Sequence, residues 1–179
     1  MRLMAKQAQA LKDTLEEQHG RIKAQLRLVQ DSHGGARAEA FLDLRRFLAA
    51  HETIEQAVMH PTVREGQDTA HVAQQRVAEE GEATSAIEAL EQFDVDSAEF
   101  SAQFANLAEN VVAHAEAEEH AELPAYLADA SDEDVAAVVA ALGRVDSVAA
   151  RVATGGIAGH PGFAGMLEQA KSELARPSR

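Results

Sequence analysis

Cysteine and tryptophan are both absent from the 179 residues. Without thiols there can be no disulfides, thiolate metal ligands or cysteine nucleophiles. Aromatic residues are few, six Phe and the single Tyr126. Sandwiches and barrels draw on aromatic and β-branched side chains, so this shortage argues against them, and the Ala-, Leu-, Glu- and Gln-rich remainder suits helices. Basic residues are also scarce: 16 Lys and Arg stand against 30 Asp and Glu, a formal net charge of −14. A surface this acidic repels phosphate backbones and anionic lipid heads, which argues against nucleic acid and membrane surfaces as partners. No apolar run approaches the roughly 18 residues that a membrane-spanning helix needs. No basic stretch followed by an apolar run opens the chain, so the expected location is the cytoplasm.

What remains is a folded, all-α composition, 46% hydrophobic and 26% charged. Four segments carry helical period. The first runs from about Lys6 to Gln30 and stops at Asp31-Ser32-His33-Gly34-Gly35; the second runs from about Arg37 to Met59 and is closed by Pro61. The third runs from about Thr69 to Gln92, and the fourth from Ala98, behind Asp96-Ser97, to Leu123 before Pro124. Short connections between helices of similar length predict an up-down-up-down four-helix bundle over residues 1–130. Ser131 to Asp134 reads as a capping box opening a fifth helix to about Ala153. A Gly/Pro-rich bend and a short helix follow, so residues 131–179 are expected as a helical extension packed on the same domain.

Polar residues interrupt the apolar stripes at helical spacing. The first helix reads Leu11, Leu15, His19, Ile22, Leu26; the second Leu44, Leu48, His51, Glu55, Val58. The fourth reads Phe100, Phe104, Leu107, Val111, His114, Glu118. A lone core His is more often hydrogen-bonded than ligating, but unpartnered burial costs about 1–3 kcal/mol per group. The pattern recurs on three helices at a similar depth. Imidazoles and carboxylates meeting inside a bundle predict a metal site, with iron ahead of manganese and zinc.

His19, His51-Glu52-x-x-Glu55 and His114-x-x-x-Glu118 resemble the ligand pattern of hemerythrin-like (HHE cation-binding) domains over about residues 8–128. The resemblance implies a non-haem di-iron centre bridged by carboxylates. His19, His51 and His114 would be imidazole ligands, Glu55 and Glu118 the bridges, and Glu52 an extra or supporting ligand. Such centres bind or react with dioxygen, peroxide or nitric oxide, and serve carriage, sensing, iron handling or oxidation of small molecules. A homodimer is a further expectation.

The third helix departs from the family pattern, which places a His where Gly81 stands. With Val77, Gly81 and Thr84 taken as the inward seam, Gly81 is expected to leave an open coordination position or small cavity beside one iron. The alternatives are that Glu80 or Glu82 replaces the imidazole through a local bulge, or that the site is degraded.

Overall fold

Leucine, isoleucine and phenylalanine at three- and four-residue spacing give each long helix one apolar face, and the four faces close on one another. A computed structural model describes residues 2–65, 70–153 and 162–176. The bundle consists of α1 (Arg2–Asp31), α2 (Gly34–Val58), α4 (Ala70–Leu90) and α5 (Ala98–Ala117), with the short α3 (His60–Glu65) between α2 and α4. No strand occurs among the described residues. The chain is therefore the expected all-α bundle with a C-terminal helical extension.

The α1–α2 connection is tighter than the sequence suggested, since α2 already begins at Gly34. Gly34 has φ +57°, a conformation that favours glycine, and its N–H donates to the Asp96 carboxylate at 2.9 Å. Arg37 then turns inward. Its guanidinium donates to the carbonyls of Val29 and Gln30 at the end of α1 and to Val95 before α5. Carbonyls that the helix end would leave unsatisfied are thus used to tie three elements together.

Two irregularities shape the interior of the bundle. Helix α2 ends at Val58, and the chain turns at Met59 before α3 restarts at His60. The expected fourth helix is also not continuous. After α5, residues Glu118–Glu122 form a π turn, marked by the Leu123 N–H donating to the Glu118 carbonyl, and α6 (Leu123–Asp129) continues from it. In an α-helix each four-residue step overshoots a full turn by about 40°. The wider π turn takes up part of that drift, so buried Glu118, Glu122 and Tyr126 stay on one line.

The expected fifth helix is split at Gly143 and Arg144 into α7 (Asp132–Leu142) and α8 (Val145–Ala149). Ser131 and Asp134 form the expected capping box at the start of α7. Helix α7 packs on α1 and α2, α8 on α2, and α9 (Gly162–Leu174) on α2 and α4. Val138, Leu142, Val148, Phe163 and Met166 belong to the same buried apolar cluster as the bundle residues. The Gly/Pro-rich bend containing His160 and Pro161 lies outside the described residues.

Candidate metal centre

Nine acid and imidazole side chains converge inside the bundle. Helix α1 contributes His19, α2 contributes His51, Glu52 and Glu55, and α3 contributes His60. Glu80 comes from α4, His114 from α5, and Glu118 and Glu122 from the π turn. His19, His51, Glu55, His60, Glu118 and Glu122 are each at most 2% exposed.

Three of the four imidazoles have their outer nitrogen fixed. His19 Nδ1–H donates to Glu119 Oε1 at 2.7 Å, and His114 Nδ1–H donates to Glu79 Oε2 at 2.9 Å. Each acceptor is a carboxylate, so the proton lies on Nδ1. His51 Nδ1–H donates to Gln18 Oε1 at 2.9 Å, and Gln18 is oriented by its own amide donating to the Leu142 carbonyl at the end of α7. Glu79 is in turn held by Arg76 at 2.8 Å. With Nδ1 committed outward, Nε2 is the nitrogen that all three rings turn inward, the arrangement by which proteins orient metal-binding imidazoles.

The inward spacings fit a metal. His19 Nε2 lies 3.1 Å from Glu118 Oε2, His114 Nε2 lies 3.1 Å from Glu118 Oε1, and His51 Nε2 lies 3.4 Å from Glu55 Oε1. Ligand atoms about 2.1 Å from a shared ion stand about 3.0–3.4 Å apart at right-angled to tetrahedral geometry. Despite these distances, His19 Nε2, His114 Nε2 and both oxygens of Glu55 and Glu118 make no hydrogen bond. Buried polar atoms this numerous are not left unsatisfied unless something else meets them. Glu118 faces one imidazole with each oxygen, which is how a carboxylate bridges two cations.

A family model described as the hemerythrin HHE cation binding domain matches residues 10–126, a span that includes all nine side chains. The chain belongs to the hemerythrin family. No curated protein and no solved structure matches it. Membership makes cation binding the general property of this hemerythrin-family bundle, and the buried donor set is the place in the fold equipped to accept a cation.

His19, His51, Glu55 and Glu118 form one group, and His114, Glu52 and Glu80 a second. The sequence names all seven, Glu80 only as a replacement reached through a bulge, and the expectation for the third helix needs correction. Val77 is 41% exposed and Gly81 is exposed, with nothing within 4 Å of a side chain added there. The inward line of α4 is instead Ala73, Arg76, Glu80 and Ile87, one position earlier. Few large apolar residues mark a stripe on this helix, so the phase is poorly set by sequence. Glu80 reaches the centre from a regular helix without any bulge; the bulge lies in the π turn on the other side. Gly81 opens no coordination position.

His60 and Glu122 are not apparent from the sequence. Counting from His51 along an unbroken helix turns His60 away from the seam, but the turn at Met59 resets the phase and buries it. Glu122 lies one turn after Glu118, and that four-residue repeat was the signal available. Glu119 lies in the run of acids after His114, whereas Glu79 and Gln18 carry no such signal. His120 is exposed and donates to the Glu116 carbonyl, away from the centre.

Without a cation, protons occupy the site. Burial pushes Glu80 up to about 9, with Glu52 adding to it, and Glu122 up to about 8, with Glu118 adding to it. Burial raises Glu52 to about 7 and Glu55 well above the carboxylate range. Burial would also raise Glu118, but His114 and His19 hold it well below that range. Burial works against charge on His114, yet Glu118 outweighs it and lifts the imidazole to about 11. His51 is lowered by burial and by His19 to about 3.

These shifts set the pH dependence. A carboxyl with a raised folded pKa stabilises the fold below its unfolded value of about 4.5, and that contribution is lost as pH rises through the folded value. Metal-free protein is therefore expected to unfold at lower temperature at pH 9 than at pH 6, while metal affinity rises over the same interval and binding releases protons. Thermal unfolding and calorimetric titration check this; equal midpoints with pH-independent affinity would contradict it. Gly81→Ala is expected to stabilise the protein by about 1 kcal/mol, and Gly81→His to leave its metal content unchanged. Metal loss in either variant, read by elemental analysis, would restore Gly81 to the site.

Proposed function

We propose that the protein holds two non-haem iron ions bridged by Glu118 and Glu55, and that the pair reacts with dioxygen, peroxide or nitric oxide. The observation that carries this reading is the division of Glu118 between His19 and His114, 3.1 Å from each. His19, His51 and Glu55 hold one ion; His114, Glu52 and Glu80 hold the other. Imidazole and carboxylate donors without thiolate suit iron, with manganese and zinc next. Iron bound here supplies the redox chemistry that the protein's own side chains lack.

The side chains provide orientation and exclusion of water. The outer partners Glu119, Gln18 and Glu79 fix three imidazoles before any ion arrives. Leu15, Ile22, Ile54 and Phe104 belong to the apolar core that surrounds the centre. A cavity of about 200 Å³ reaches the second position, lined by Glu52, Glu79, Glu80, Glu82, Val111 and His114 among others. Sites for drug-sized ligands run to about 300–1,000 Å³. The smaller volume favours diatomic gases and peroxide over the oxidation of an organic substrate. The carboxylates at the mouth also suit passage of a ferrous ion, which supports iron handling as a second reading.

Protein loaded anaerobically with ferrous iron and desalted is expected to retain two irons per chain. Its visible spectrum should change on exposure to dioxygen, peroxide or nitric oxide. His51→Ala and Glu118→Gln should each retain one iron or none. Failure of the parent protein to retain iron, or a spectrum indifferent to all three reagents, would overturn the reading.

A further inference from the structure

The iron pair leaves His60 and Glu122 without a role. His60 Nε2 lies 3.3 Å from Glu80 Oε1 and 3.3 Å from Glu122 Oε1, again the edge lengths of a coordination polyhedron. Glu122 is 1% exposed, and neither of its oxygens makes a hydrogen bond; Glu80 Oε1 makes none either. The other oxygen of Glu80 accepts from the Gln56 amide at 2.6 Å, which aims Oε1 at His60. Arg76 does not neutralise Glu122 by direct contact, because its guanidinium engages Glu79 at 2.8–2.9 Å.

The backbone supports the same point. The turn at Met59 brings His60 inward, and the π turn keeps Glu122 in line with Glu118. Two irregularities on separate elements thus converge on one place, and π turns concentrate at functional sites. Charge agrees. The centre has five carboxylates, Glu52, Glu55, Glu80, Glu118 and Glu122. When all are ionised, two divalent ions neutralise four of them.

We infer that His60, Glu118 and Glu122, a third group of converging buried donors, hold a third cation, a hard divalent ion such as manganous or ferrous, with Glu80 beside His60 and the iron pair adjoining. Two carboxylates and one imidazole are a donor set for such an ion. The inference rests on the proposed pair occupying the His19 and His114 sides. Glu118 serves both the iron pair and this position.

Equilibrium dialysis against manganese(II), with elemental analysis and paramagnetic resonance of the free ion, tests the inference without turnover. The parent chain is expected to bind three ions. His60→Ala and the isosteric Glu122→Gln are expected to bind two while keeping the parent's helical circular dichroism. His51→Ala should still bind at the His60 position. A parent chain that saturates at two with both variants also at two would overturn the inference, because His60 and Glu122 would not be ligands. A parent at two with both variants at one would also overturn it, because they would then belong to the pair. Absence of any reaction with dioxygen, peroxide or nitric oxide would count against the proposed function and leave this count standing.

Discussion

Five carboxylates and four imidazoles enclosed by leucine, isoleucine and phenylalanine constitute the interaction on which the molecule turns. Ionised and unpaired, such groups carry a desolvation cost of several kcal/mol each. Protons relieve part of it, which is why Glu80, Glu122 and Glu52 are pushed toward or above neutrality. Cations relieve it more completely, because each meets several oxygens and ring nitrogens at once. An empty centre thus carries a burial cost that cations would relieve, and the family's cation-binding character fits that contrast.

The surrounding helices serve this centre at more than one remove. The carbonyl of Leu142 in the C-terminal extension receives the Gln18 amide, and Gln18 accepts from His51. Helix α7 therefore fixes a ring on α2 through a residue of α1. On the opposite side Arg76 holds Glu79, which holds His114. An imidazole oriented in this way loses little freedom on meeting an ion, so its affinity is built into the fold. A mutation in α7 far from the donors can reach the centre by this route.

The sequence makes the bundle and most of its donors legible because His19, His51 and His114 sit where the apolar period demands leucine. That signal needs a strong stripe to stand against. Helix α4 has none: small Ala73 and polar Arg76 and Glu80 occupy its inward line, so periodicity sets its phase one residue late and puts Gly81 in the centre instead of Glu80. His60 and Glu122 are hidden differently, by breaks in helical geometry. The π turn at Glu118–Glu122 leaves no mark in periodicity, and although Pro61 announces the break at Met59, nothing in the pattern says that His60 faces inward after it. The outer partners Gln18, Glu79 and Glu119 are polar residues in polar stretches, and only the folded arrangement distinguishes them from solvated neighbours.

The most direct test of the central claim is the anomalous difference map at the iron edge from crystals of the iron-loaded protein. Iron peaks are predicted between His19, His51 and Glu118, and between His114 and Glu118, each about 2.0–2.3 Å from its ligand atoms. Iron found only on surface carboxylates, with Glu118 touching none, would contradict the account.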